Sequence, residues 1–195
     1  MSKKVFIVHG FQDTPQSGWI PWLKAKLEED GSDVNAITMP NPHNPVCDEW
    51  VKTLSETVAD CDENVFLVGH SLGVPTILHF LESLNDGEKI GGIVLVSGFY
   101  KPVLEDDDPE ERKIDHFVEH EFDWEKIRNS CEKCIVIHGD DDDSVPVYHG
   151  EYISKMLGCE LVTIKNGGHL NGESNWFELP EALEWIREHL CNAKK

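Results

Sequence analysis

Asn64-Val65-Phe66-Leu67-Val68-Gly69-His70-Ser71-Leu72-Gly73 decides how the rest of the chain is read. Val65 to Val68 are apolar without a break and β-branched or aromatic except for Leu67, the composition of a buried strand. Gly69-His70-Ser71-Leu72-Gly73 follows at once, and Val74 to Leu84 then carries apolar residues at helical spacing. Strand, G-x-S-x-G and helix in that order make a nucleophile elbow, a tight turn that holds the serine clear of the sheet. The flanking glycines keep that turn free of side-chain clashes, and the helix N-terminus beside Ser71 favours developing negative charge. Pro75 is compatible with the helix, because its missing N–H falls in the first turn, where donors lack partners anyway.

Upstream, Val5 to Val8 is a first strand ending in His9-Gly10-Phe11, and Pro15 breaks the polar loop from Gln12 to Ser17. Trp19, Ile20, Leu23 and Leu27 predict a helix. Asp33 to Thr38 reads as a second strand, and Met39-Pro40-Asn41-Pro42-His43-Asn44-Pro45 after it as a loop. Trp50, Leu54, Thr57 and Val58 mark the helix that leads into the elbow strand. Downstream, Ile90 to Val96 is a strand interrupted only by Gly91-Gly92. From Phe99 to Phe122 no period is sustained, and the segment carries Glu105-Asp106-Asp107-Asp108-Pro109-Glu110-Glu111; it is expected to be an insertion over the strand ends. A short helix from Trp124 to Asn129, a strand from Cys134 to His138, a helix from Val147 to Leu157, a strand from Glu160 to Ile164 and a closing helix from Trp176 to Leu190 complete the pattern.

Apolar strands alternating with helices predict an α/β fold, an approximately six-stranded parallel sheet covered on both faces. Right-handed crossovers then bring every strand C-terminus to one edge, where ligands bind in open sheets of this kind. With no internal repeat and no linker, residues 1–195 read as a single domain.

The charge is strongly one-sided: 17 basic against 37 acidic residues give a formal −20. Such a surface repels nucleic acid and anionic membranes, since no basic stripe is present to release counterions. The apolar run after Lys3-Lys4 is too short for a signal peptide or a membrane span, so a cytoplasmic location is expected. The six cysteines are scattered and suggest no disulfide framework. Cys131-Glu132-Lys133-Cys134 is formally C-x-x-C, but it precedes a strand rather than opening a helix, and no second pair completes a zinc site. These read as structural thiols.

A serine hydroxyl needs a base to take its proton, and the base needs a carboxylate to orient it. Behind this type of elbow the chain order is Ser, then Asp or Glu, then His. The strand ending at His138 runs into Gly139-Asp140-Asp141-Asp142-Asp143-Ser144-Val145-Pro146, and the strand ending at Ile164 runs into Lys165-Asn166-Gly167-Gly168-His169-Leu170. Both follow strand C-termini, on the same edge as Ser71. His149 and His189 fall inside predicted helices, His70 is expected to pack locally, and His9 to matter through its backbone. His43, His79, His116, His120 and His138 precede the carboxylates and read as ordinary. A calcium loop starting at Asp140 fails, because Val145 stands where the loop needs glycine and a strand precedes it. No metal and no cofactor is expected. An oxyanion hole would draw on the backbone N–H of Leu72 and, from the loop after the first strand, that of Phe11.

With these residues in view the chain resembles the α/β-hydrolase superfamily in a compact form. More narrowly, it is similar to the small serine hydrolases of the retinoblastoma-binding protein nine and YdeN type. The likeness is carried by His9-Gly10, Gly18-Trp19, Trp22-Leu23, Met39-Pro40-Asn41-Pro42, the elbow, Ile93-Val94-Leu95-Val96-Ser97, Phe122-Asp123-Trp124-Glu125-Lys126-Ile127, the acidic turn, and Gly168-His169-Leu170-Asn171. It implies Ser71 as nucleophile, His169 as base, and an aspartate of the Asp142-Asp143 pair as orienter. Gly139-x-x-Asp142-x-x-Val145-Pro146 has the spacing of larger α/β-hydrolases and favours Asp142, whereas the doublet seen in the small relatives favours Asp143 as the alternative acid. The expected activity is a serine carboxylesterase acting on a small-molecule acyl substrate. The rival reading is a partner-binding protein on the same fold, since fold does not imply function.

Overall fold

The computed structural model describes residues 3–103 and 111–191. Six parallel strands form one sheet: β1 (Lys4–Val8), β2 (Asp33–Ile37), β3 (Val65–His70), β4 (Gly92–Val96), β5 (Cys134–Gly139) and β6 (Glu160–Ile164). They lie in the order β2-β1-β3-β4-β5-β6. The chain first steps from β1 outward to β2, then crosses back over β1 to lay down β3. The direction of winding therefore reverses between β1 and β3, which leaves a crevice at their C-terminal ends. His9-Gly10-Phe11 leaves one side of that crevice and Ser71 the other.

Among the described residues six helices cover the sheet: α1 (Ile20–Glu29), α2 (Cys47–Val58), α3 (Gly73–Ser83), α4 (Trp124–Asn129), α5 (Tyr148–Leu157) and α6 (Pro180–Cys191). Successive strand residues face opposite ways. Val65 and Leu67 of β3 accordingly pack with Trp50, Leu54, Ile77, Ile127 and Ile153 from α2 to α5. Phe66 and Val68 pack on the other face with Ile20, Leu23, Leu27, Leu183 and Ile186 of α1 and α6. β3 is buried along its whole length, whereas the edge strands β2 and β6 leave residues exposed. Full burial of one such aliphatic side chain contributes about 1.5–3 kcal/mol, so the central strands anchor the edge on which the functional groups sit.

Two elements start two or more residues later than the sequence predicts. β4 starts at Gly92 rather than Ile90: a Cβ on Gly91 would stand 2.3 Å from the Glu63 carbonyl oxygen, and Ile90 forms only a single bridge with Cys131. The closing helix starts at Pro180 rather than Trp176. The Trp176 N–H is held by the Asn171 carbonyl at 2.9 Å, Asn175 takes a positive φ of 62°, and proline then opens the helix where its missing donor costs nothing.

Within the expected insertion, a 3-10 helix (Glu111–Phe117) precedes α4, and Phe99, Phe117 and Phe122 are core residues beneath it. Residues 104–110, which carry most of the acidic run, lie outside the described residues. Cys134 at the start of β5 neighbours Cys159, just ahead of β6, with the two sulfurs 3.0 Å apart. Among the described residues no helix is long and apolar enough to cross a membrane.

Candidate active site

β3 ends at His70, and Ser71 takes a φ of 49°, in the left-handed region that L-residues avoid. The Ser71 N–H donates to Val96 O at 2.9 Å, and the Ser71 carbonyl accepts from Val74 N at 3.0 Å, so the strained residue is fixed from both sides. Neither elbow glycine could carry a side chain. A Cβ at Gly69 would meet Ile77 Cδ1 at 2.8 Å, and one at Gly73 would meet the Val8 carbonyl oxygen at 2.3 Å. β1 and α3 thus touch backbone to backbone, and the loop after β1 runs directly alongside Ser71.

That loop is held by groups whose roles sequence position concealed. The His9 side chain, and not only its backbone, is used: Nδ1–H donates to Gly10 O at 2.8 Å, and Nε2 accepts from Met39 N at 3.2 Å. Burial pushes the His9 pKa down, which suits an imidazole that must both donate and accept. Gln12 N donates to Pro42 O at 2.9 Å, and Trp50 Nε1 donates to Pro40 O at 2.7 Å. The proline loop after β2 therefore holds the Gly10-Phe11 turn in place. Among the described residues none accepts a hydrogen bond from the Phe11 or Leu72 N–H, and Leu72 stands at the first turn of α3.

The acidic turn after β5 divides its four aspartates among different tasks. Asp140 Oδ1 accepts from Asn166 N at 2.7 Å, and Asp141 Oδ1 accepts from Gly168 N at 2.8 Å; both secure the backbone of the loop that carries His169. Asp142 is 6% exposed, and its Oδ2 lies 2.9 Å from His169 Nδ1. Its Oδ1 accepts from Ser144 N at 3.0 Å and Val145 N at 2.8 Å. Asp143 points to solvent, with only the Ser144 hydroxyl near it at 3.5 Å. Gly139 is indispensable to this arrangement, because a Cβ there would stand 2.2 Å from the Gly168 carbonyl oxygen. On the far side of the His169 loop, Trp19 Nε1 donates to Leu170 O at 2.8 Å and His70 Nε2 donates to His169 O at 3.0 Å.

Burial alone would raise the Asp142 carboxyl. Hydrogen bonds from His138 and His169, the nearby His169 charge and the Val145 N–H outweigh it and hold Asp142 well below the usual carboxylate range. His169 moves down, chiefly through burial, and its bond to Asp142 recovers part of that shift. Near neutral pH the pair is therefore an ionised carboxylate and a neutral imidazole, with Nδ1–H donated to Asp142 and Nε2 left as a base. His138, read from sequence as ordinary, lies beside them: its Nε2–H donates to Val145 O at 2.7 Å and is 3.4 Å from Asp142 Oδ2.

His169 reaches the elbow through its neighbour, its ring centroid 5.0 Å from that of His70. No hydrogen bond joins Ser71 Oγ to His169 among the described residues; such contacts commonly tighten only when substrate binds. A surface hollow of about 390 Å³ beside Asn85 and Lys126 touches none of these groups.

A parallel α/β sheet with a left-handed serine at the strand–helix turn and a buried Asp–His pair on the same edge defines an α/β-hydrolase fold. The chain belongs to the serine hydrolase family, whose profile matches residues 5–188. It is similar to YdeN of Bacillus subtilis (strain 168), with 37% identity over 180 residues covering 92% of each chain. The crystal structure of that gene product superposes with a TM-score of 0.91 at 34% identity, over 98% of this chain and 100% of the other. Serine hydrolase RBBP9 of Rattus norvegicus is 26% identical over 95% of this chain and 93% of its own. Est1E of Butyrivibrio proteoclasticus shares the fold, with a TM-score of 0.74 at 17% identity over 98% and 89% of the two chains.

Proposed function

We propose that this serine hydrolase is a carboxylesterase that cleaves small acyl esters through Ser71, His169 and Asp142. The observation that carries the reading is the 2.9 Å bond from His169 Nδ1 to the buried Asp142 carboxylate, beside a serine held at positive φ. Ser71 Oγ attacks the acyl carbon while His169 Nε2 takes its proton, and Asp142 stabilises the imidazolium that forms. The carbonyl oxygen becomes an oxyanion received by the N–H groups of Phe11 and Leu72. The bond to the alkoxy group then breaks, the alcohol leaves with the His169 proton, and water repeats the sequence on the acyl-enzyme. Every group in the cycle belongs to the chain, so chelation is expected to leave turnover unchanged.

Short acyl groups are favoured, because the aromatic residues of the segment after β4 are committed to the core: Phe99 and Phe117 are fully buried, and Trp124 is 8% exposed. Acetyl to hexanoyl esters should outrun long-chain lipids. The deciding experiment is hydrolysis of an activated acetyl ester together with labelling by a fluorophosphonate. Stoichiometric labelling that vanishes with activity in Ser71→Ala is expected. A labelled serine elsewhere, or esterase activity that survives the substitution, overturns the assignment.

A further inference from the structure

The geometry points to a second site on the opposite part of α3: a transition-metal site, of the kind that binds zinc, formed by His79, Glu82 and His120. Their candidate ligand atoms all lie within 4.8 Å of one another. His79 and Glu82 are three residues apart on α3 and so share one helix face. His120 comes from the segment after the 3-10 helix and lays its ring over that of His79, with centroids 4.6 Å apart and planes inclined by 27°.

The hydrogen bonds around these residues orient the candidate ligand atoms toward one another. His79 Nε2–H donates to the Phe117 carbonyl at 2.8 Å, which fixes the tautomer and leaves Nδ1 with a bare lone pair. A histidine held through one ring nitrogen by a backbone carbonyl is the usual outer arrangement of a metal ligand. Nδ1 faces Glu82 Oε2 at 3.9 Å, and no described residue donates a hydrogen bond to it. Glu82 Oε1 accepts from Asp123 N at 2.5 Å, so the carboxylate is aimed, and Oε2 accepts from His120 Nε2–H at 3.0 Å, a bond that an ion between the two would replace. Two imidazole nitrogens and one carboxylate oxygen are a zinc-type donor set that leaves a position for water. Tetrahedral ligands at about 2.0 Å from the ion stand about 3.3 Å apart, so closure asks for a shift of about 1.5 Å at most. His120 can supply it, since its side chain is 45% exposed whereas those of His79 and Glu82 are 19% and 17%. The −20 charge of the chain further favours a cation.

The site would act as a clip. It joins α3 to the segment whose Phe117 and Phe122 are already buried, and it stands six residues beyond the start of α3, about 9 Å along the axis. A metal here stabilises the fold without entering the chemistry at Ser71. Occupancy should therefore raise stability and leave esterase turnover alone, which separates this proposal from the one above.

The test uses the full chain stripped with a chelator and then titrated with Zn²⁺ by calorimetry and with Co²⁺ by visible absorption. One equivalent should bind, with cobalt d–d bands and no thiolate-to-metal charge-transfer band. Saturation at a hundredfold excess over the dissociation constant should raise Tm by about 5–11 °C. His120→Asn alters an exposed residue, and Glu82→Gln retains an acceptor for Asp123 N, so both variants should fold. Each should weaken binding by at least about 100-fold, since loss of even an outer partner costs about 10- to 100-fold. Absence of saturable binding, undiminished binding in both variants, or a thiolate band would overturn the site.

Discussion

Asp142→Asn separates the electrical role of the carboxylate from its shape. The amide can be oriented in two ways. If its oxygen stays on the Ser144 and Val145 N–H groups, which now lie 3.0 and 2.8 Å from Oδ1, its NH₂ faces His169 Nδ1. The reverse orientation sets an NH₂ against two backbone donors, which costs about 1–3 kcal/mol per buried group left unmatched. The first orientation therefore prevails, and His169 must accept at Nδ1 and carry its proton on Nε2. A base protonated at the atom that should take the Ser71 proton is the wrong tautomer. The expected loss in kcat is about 10⁴, equivalent to about 5 kcal/mol of barrier. Stability should change less, by about 1–2 kcal/mol, mainly because His138 Nε2–H now meets a donor at the 3.4 Å contact. That corresponds to about 2–8 °C in Tm. The assay is initial-rate hydrolysis of an activated acetyl ester beside a thermal melt. Asp143→Asn is the control and should stay within about twofold, because exposed substitutions shift energies by about 0.5 kcal/mol. A folded Asp142→Asn enzyme within tenfold of the parent, or a crippled Asp143→Asn enzyme, would refute the reasoning.

Ser71→Ala and His169→Ala should each lower kcat by about 10⁶, and the double variant should lose little more, since in the proposed mechanism the two act as one unit; additive losses in steady-state rates would contradict this. Burial lowers the His169 pKa, so the acid limb of the kcat/KM profile should fall at a midpoint below the ordinary histidine value of 6.5, and a midpoint above it would be the wrong sign. His149 is fully buried and pushed down to about 4, chiefly by burial, so it enters the folded state neutral. Its contribution to stability is complete above pH 6.5 and is lost as pH falls toward 4, by about 2 kcal/mol at pH 5 if it acts alone. Melts between pH 7 and pH 5 should show a drop of about 4–8 °C from this residue, reduced in His149→Gln. Gly139→Ala drives a Cβ into the Gly168 carbonyl and should cost about 1–3 kcal/mol of stability. A displacement of the His169 loop by about 1 Å would cost about 10² in kcat as well, measurable with the same ester.

The fold is legible in the sequence because its central strands cannot be anything else. Val65–Val68 and Ile93–Val96 are buried on both faces, and such strands stay apolar at every position. The edges are less plain. β6 has no fully buried residue, and its β-branched Val162, Thr163 and Ile164 are what mark it as a strand. The start of α6 departs from the sequence expectation for a physical reason: Trp176 and Leu179 share the helical spacing of the residues that follow, yet they reach the core from a turn. Periodicity registers which residues face inward, and a turn held by Asn171 and Asn175 can present an inward face as well as a helix can.

Within the site, the sequence marks candidates by chain order, whereas the roles depend on which atoms meet across neighbouring strand ends. Four consecutive aspartates are the same letter. They part because β5 and β6 are adjacent and in register, so the turn after one lies against the loop after the other. Asp140 and Asp141 meet backbone N–H groups of that loop, Asp142 turns inward to the His169 ring, and Asp143 is left outside. Chain order gives His9 and His138 no proton-transfer role, because His9 follows β1 and His138 lies near the end of β5, both ahead of the acidic turn. Their work is of another kind. His9 joins two loops through opposite ring nitrogens, and His138 ties the acidic turn to its own strand through the Val145 carbonyl. A buried imidazole that donates to a carbonyl fixes backbone geometry as firmly as a buried amide does, and it leaves no trace in hydropathy or spacing. The signal for both in the sequence is positional: each is the first polar residue after an apolar run, Val5–Val8 or Ile135–Ile137, at the C-terminal edge of the sheet.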